Sequence, residues 1–94
     1  MSTTVNVAGK ERIVKFPVMS LIRLKKEAGI DLSALQGKDE MQDIETIVAL
    51  IWAGLVTDDP SLTREFLAEN MEIHELNEVA QTVMSVINKQ VKKD

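Results

Sequence analysis

Few residues in this chain have the type and spacing to do chemistry. His74 is the only histidine, and Glu72, Glu75 and Glu78 stand near it. A histidine and a carboxylate at helical spacing can bind a metal, but a metal centre needs further ligands converging on the same point. Asp58-Asp59 brings two acids together, yet the alternating acidic loop of a calcium site, with its central glycine and terminal glutamate, is missing. Gly9-Lys10 lacks the Gly-x4-Gly-Lys-Ser/Thr spacing of a phosphate loop, and Glu11 beside it would repel a phosphate. Ser61 follows Pro60, so the Asp-Ser-Leu attachment site of an acyl carrier protein fails at its key residue. No serine, threonine or lysine sits in a nucleophile's context. The pattern thus points to no catalytic residue, no cofactor site, no metal and no small-molecule substrate, and the protein is expected not to be an enzyme. His74 reads as a solvated helix-face histidine, Asp58-Asp59 as a helix stop and Gly9-Lys10 as part of a turn.

The elements that would carry these residues are those of one small domain spanning 1–94. Apolar residues make up 45% of the sequence and aromatics only 3%, so the core must be built from Leu, Ile, Val, Ala and Met. The absence of cysteine excludes a disulfide scaffold and fits a reducing compartment. The longest apolar run, Ile47 to Val56, is far short of the roughly 20 residues that span a bilayer, and no secretory h-region is visible at the N-terminus. A soluble, cytoplasmic protein is expected, with no membrane partner. Charge is unevenly placed. Residues 1–38 hold seven Lys/Arg and three Asp/Glu, net +4; residues 39–78 hold one Arg and eleven acids, net −10; residues 79–94 hold three Lys and one Asp, net +2. Basic ends and an acidic middle suit self-association through head-to-tail contacts. They suit a duplex poorly, because phosphate binding needs an uninterrupted basic surface.

The spacing predicts a mainly α fold, a small compact bundle of about four helices behind a short N-terminal β-hairpin. Thr4 to Val7 alternates with period two, Ala8-Gly9-Lys10 suits a turn, and Arg12 to Phe16 is rich in β-branched and aromatic residues. Residues 1–16 are thus a hairpin or an arm, and 17–94 are helical. Helix one is expected over Val18–Ala28, with Pro17 in its first turn, Gly29 as its stop, and Val18, Leu21, Ile22, Lys25 and Ala28 on its inner face, Leu24 at the edge. Asp31 to Leu35 is at most a single turn. Asp39 and Gln42 form a capping-box pattern before a helix with Met41, Ile44, Val48, Ile51 and Leu55 on one seam. Ile47 and Trp52 widen that seam, so this helix is either central or faces a partner. Thr63 or Ser61 caps a short helix with Phe66 and Leu67 that ends near Asn70. The last helix is expected from Ile73 to Lys89, its inner face formed by Ile73, Leu76, Val79, Ala80, Val83, Met84 and Ile87.

Trp52 is the only tryptophan. It reads either as core or as an interaction hot spot. With Leu55, Phe66, Leu67 and Met71 it makes up the candidate partner-binding set.

From about Phe16 to Ile87 the chain resembles the tail assembly chaperones of long-tailed bacteriophages and phage-like elements. The residues that carry the resemblance begin with Ile13-Val14-Lys15-Phe16 and a helix ending in Leu24-Lys25-Lys26-Glu27-Ala28-Gly29-Ile30-Asp31-Leu32. Leu50-Ile51-Trp52-Ala53-Gly54-Leu55 is similar to the family's LLWAGL element. Asp58-Asp59-Pro60-Ser61-Leu62-Thr63 and a last amphipathic helix follow in the family's order. The resemblance implies a small, mostly helical, non-catalytic protein. It would coat the long, aggregation-prone tape measure protein, contact the tail tube protein in the host cytoplasm, and be absent from the mature virion. Two other readings stand beside it: a generic helical adaptor or antitoxin-like interaction domain, which shares the composition, and a nucleic-acid binder working through the basic hairpin residues Lys10, Arg12 and Lys15, with Arg23, Lys25 and Lys26 beyond, against which the −10 middle segment argues.

Overall fold

The computed structural model describes residues 3–30 and 44–91. In chain order these form β1 (Thr3–Val7), β2 (Lys10–Val14), α1 (Val18–Ala28), α2 (Ile44–Leu55), α3 (Arg64–Asn70) and α4 (Ile73–Val91). The fold is mostly helical with a two-stranded antiparallel hairpin at its N-terminus, as the spacing predicts. The expected turn at Asp31–Leu35, the Asp39/Gln42 capping box, Met41 and the lysines at 92 and 93 lie outside the described residues.

The hairpin register pairs Val7 with Lys10, which leaves Ala8-Gly9 as a two-residue loop. Both residues have positive φ, 54° and 76°. That is the primed turn whose twist matches a hairpin. Gly9 takes the conformation freely, whereas Ala8 adopts it at a steric cost of about 1 kcal/mol. β2 therefore starts at Lys10 and ends at Val14, and Phe16 falls in the link to α1. Along the inner face Val5, Val7, Val14 and Arg12 are buried, while Thr4, Asn6 and Glu11 alternate outward.

α2 is the central helix. Thr46 through Leu55 are all buried, and the helix packs against α1, α3, α4 and β2. A helix covered on every side needs no polar face, which is why its apolar residues exceed one stripe. Burial of each large side chain here, such as Leu50, Ile51 and Leu55, contributes on the order of 1.5–3 kcal/mol. Ile44, expected on the inner seam, is instead exposed at the start of the helix.

α1 has the expected bounds but a rotated face. Ser20 and Leu24 are fully buried, Leu21 and Ala28 pack partly against the core, and Val18 and Ile22, expected inside, point outward. Gly29 ends the helix at φ 70°, its N–H donating to the Lys25 carbonyl at 2.9 Å in an αL cap.

α4 runs two residues beyond its expected end and buries Leu76, Val79, Ala80, Val83 and Ile87 as predicted. Ile73 is the exception, exposed in the first turn. Glu75 organises that turn. One carboxylate oxygen accepts from the Glu72 N–H at 3.4 Å, as the third residue of a capping box does. The other accepts from the Ala8 N–H at 3.3 Å, which ties the hairpin loop to α4.

Candidate functional site

The Trp52-Ala53-Gly54-Leu55 segment ends α2, and three tertiary ties converge on it. Gly54 lies against the Phe16 ring: a Cβ at this position would stand 2.7 Å from Phe16 Cε2. Glycine is thus needed here for close approach. Near the end of α2 the Gly54 carbonyl accepts the Lys15 N–H at 2.8 Å. A group of the helix terminus that needs an outside partner is thereby satisfied by the chain leaving the hairpin. Trp52 donates its indole N–H to the Leu62 carbonyl at 2.9 Å, so the tryptophan fixes the α2–α3 connection while its ring stays in the core.

That connection carries its own network. Asp59 accepts from the Ser61 hydroxyl at 2.7 Å and from the Ser61 N–H at 3.3 Å. Leu62 N–H closes the turn on the Asp59 carbonyl at 3.0 Å, with Pro60 at the position that suits its fixed φ. The other Asp59 oxygen meets Arg12 Nη1 at 2.8 Å. The Arg12 side chain is almost fully buried; its Nε donates to the Val7 carbonyl at 3.4 Å, and its guanidinium lies 5.8 Å from the centre of the Phe66 ring, within cation–π range. Hydrogen bonds from Ser61, then from Arg12, hold the Asp59 carboxyl below its ordinary value of 3.8. Thr63, rather than Ser61, caps α3 by accepting the Phe66 N–H at 3.0 Å.

Of the five candidate partner residues, Trp52, Leu55 and Leu67 belong to the core. Leu55 and Leu67 present essentially no surface. Phe66 is exposed at one edge, and Met71 is partly covered. The five therefore do not form one open patch in this fold. His74 sits at the surface, 3.7 Å from Glu72, as expected of a solvated helix-face residue. Among the described residues no cluster of three metal-ligating side chains occurs. A groove of about 890 Å³ between α2 and α4 is lined by Ile47, Ala80 and Met84 together with Asn77, Gln81, Ser85, Asn88 and Lys89. Its described lining holds no carboxylate, histidine or thiol to make an acid–base pair.

The chain matches no family model, no curated protein and no solved structure. Function must therefore be argued from the residues and their placement. No described helix is long and apolar enough to cross a membrane.

Two features escape the sequence pattern. Arg12 counts among the basic residues of the hairpin, but its charge is engaged by Asp59, which removes it from the surface that a phosphate backbone would meet. Nothing in a two-residue alternation marks it as inward and paired. The second is the outward face of α1, where Val18, Met19 and Ile22 are exposed by 73%, 53% and 42%. A periodicity reading assigns Val and Ile to the inside by default. No local signal reverses it, because Ser20 and Leu24 turn inward toward partners such as Thr57, in the turn after α2. The Ser20 hydroxyl lies 3.2 Å from the Thr57 hydroxyl and 3.4 Å from the Lys15 carbonyl, so the buried serine is satisfied.

Proposed function

We propose that this chain is a non-catalytic tail assembly chaperone that binds the tape measure protein and tail tube subunits in the host cytoplasm and leaves before the virion is complete. One observation supports the reading above the rest. The segments that carry the resemblance touch one another in the fold. Lys15 bonds to Gly54, Phe16 packs on Gly54, and Trp52 bonds to Leu62. A set of mutually dependent contacts gives a physical reason for these residue types to occur in this order and spacing. The basic and acidic segments of the chain add a route to reversible self-association, since unlike surfaces meeting head to tail give open arrays.

Co-expression with the tape measure protein of the same phage or phage-like element tests the reading. The expected result is a soluble complex recovered by pull-down through this chain. A client that stays insoluble, with this chain alone in solution, would leave a small helical interaction domain, and the adaptor reading would replace it.

A further inference from the structure

We infer that the outward face of α1 is the docking surface for a client helix that carries an apolar stripe with acidic residues beside it. The inference rests on the chaperone reading and names the face and the chemistry of the client that it uses. Three observations lead to it. First, α1 is apolar on the wrong side. Its inner face includes a fully buried serine with hydroxyl and carbonyl partners, while Val18, Met19 and Ile22 are left in water. At 100° per residue, Val18 and Ile22 lie next to each other and Met19 lies alongside, one and a half turns of contiguous apolar surface.

Second, the same outward face becomes basic one turn later. Lys26 follows Ile22 at i+4 and Arg23 follows Met19 at i+4, with exposed Lys15 just before the helix. Glu27, the helix's one acid, is about 100° from Lys26 but, at i+4, only about 40° from Arg23, so it borders the basic patch on the side away from Val18. An occupant must therefore bring apolar side chains for the first half of α1 and negative charge for the second. A helix with apolar residues at i, i+3 or i+4 and acids in the next turn does both.

Third, among the described residues the chain's own acidic surface is a poor match for this face. α3 is seven residues long; Leu67 is in the core, and the exposed edge of Phe66 already stands under Arg12. On the outer side of α4 His74, Glu78, Gln81 and Ser85 are polar and offer no apolar stripe. Among the described residues the other exposed apolar side chains, Ile44 and Ile73, stand singly beside acids such as Glu45 and Glu72. The described surface of a second copy would thus satisfy the charge but not a contiguous three-residue apolar face, and a separate client helix is the better occupant.

The test compares the full chain with Val18→Ser/Ile22→Ser and with Arg23→Glu/Lys26→Glu, each co-expressed with the tape measure protein and checked for folding by thermal melting. The wild-type chain should hold the client in solution. Both variants should melt as it does and lose the client by about tenfold or more, as removal of interface anchors does. Wild-type binding that both folded variants retain would overturn the inference and leave the chaperone reading standing. Retention by the charge-reversed variant alone would overturn the acidic part of the client and with it the proposal. Loss of self-association with the client still bound would assign the face to a second copy. A wild-type chain that fails to hold the client would overturn both readings together.

Discussion

The end of α2 and the outer side of α1 are built from similar apolar residues and treated in opposite ways. Around Trp52 and Gly54 each polar group described above has a partner. The indole N–H, the Gly54 carbonyl, the Arg12 guanidinium and the Asp59 carboxylate are all satisfied within the chain. On α1, Val18, Met19 and Ile22 lie open. The residue types that look most suited to docking, a tryptophan and its leucines, are thus engaged in holding the fold together. The apolar face left exposed on α1 is made of residues that attract no notice in the sequence. A hot-spot residue type identifies energy, and only the fold decides whether that energy is intramolecular.

Removing the anchor of the first region should have the largest effect. Trp52→Ala deletes a buried ring and leaves the Leu62 carbonyl without its donor. Truncation of a core aromatic costs about 3–5 kcal/mol, a large share of the roughly 5–15 kcal/mol that holds such a domain folded. Urea or thermal melting followed by circular dichroism gives the number. A loss below about 1 kcal/mol, as for ordinary surface positions, would place Trp52 outside the stabilising region and dissolve the contrast with α1.

Gly54→Val comes next. A Cβ at 2.7 Å from Phe16 Cε2 must displace a ring that is itself buried, in a link held by the Lys15–Gly54 bond. Overpacking of this kind costs about 1–3 kcal/mol. Part of the gain in helix propensity over glycine offsets it. The double variant Gly54→Val/Phe16→Ala separates the two contributions: if the clash dominates, removal of the ring makes the valine tolerable. A full valine penalty in the Phe16→Ala background would mean that the glycine is needed for its backbone instead.

The same two regions show what was legible beforehand. Hairpin, helix order and most boundaries follow from alternation, prolines, glycines and caps, because these act over a few residues. The bounds of α1 were legible for that reason, with Pro17 before it and Gly29 after it. Its face was not. Ser20 is inward because Thr57 and the Lys15 carbonyl wait for it there, and both belong to other parts of the chain. Arg12 is inward because Asp59, forty-seven residues later, receives it. Partners this distant leave no trace in local periodicity. The burial of Trp52 and Leu67 was hidden for the same reason: exposure is a property of the assembled fold. Gly54 could have been suspected, since a glycine inside an apolar helix weakens it unless something needs the space.

The smallest expected effect concerns acid, and it touches only one of the two regions. Asp59 ties the hairpin to the α2–α3 turn, and its carboxyl titrates below the ordinary carboxylate value because Ser61 and then Arg12 donate to the charged form. The outward face of α1 is dominated by Val18, Met19, Ile22 and Lys26. A carboxyl with a lowered folded-state pKa binds protons more weakly than in the unfolded chain. Its contribution is fully present above the unfolded value and disappears as pH falls through the folded one. Wild-type protein and Asp59→Asn should therefore differ in stability at neutral pH and converge as pH drops below 3.8, the ordinary value for this group. The two proteins differ in this one carboxyl, so the difference between their melting curves reports on Asp59. Curves that stay parallel through the acid range would show that the carboxylate contributes no charge-dependent stability, and that the hairpin is held by Phe16 and the Lys15–Gly54 bond without the ion pair.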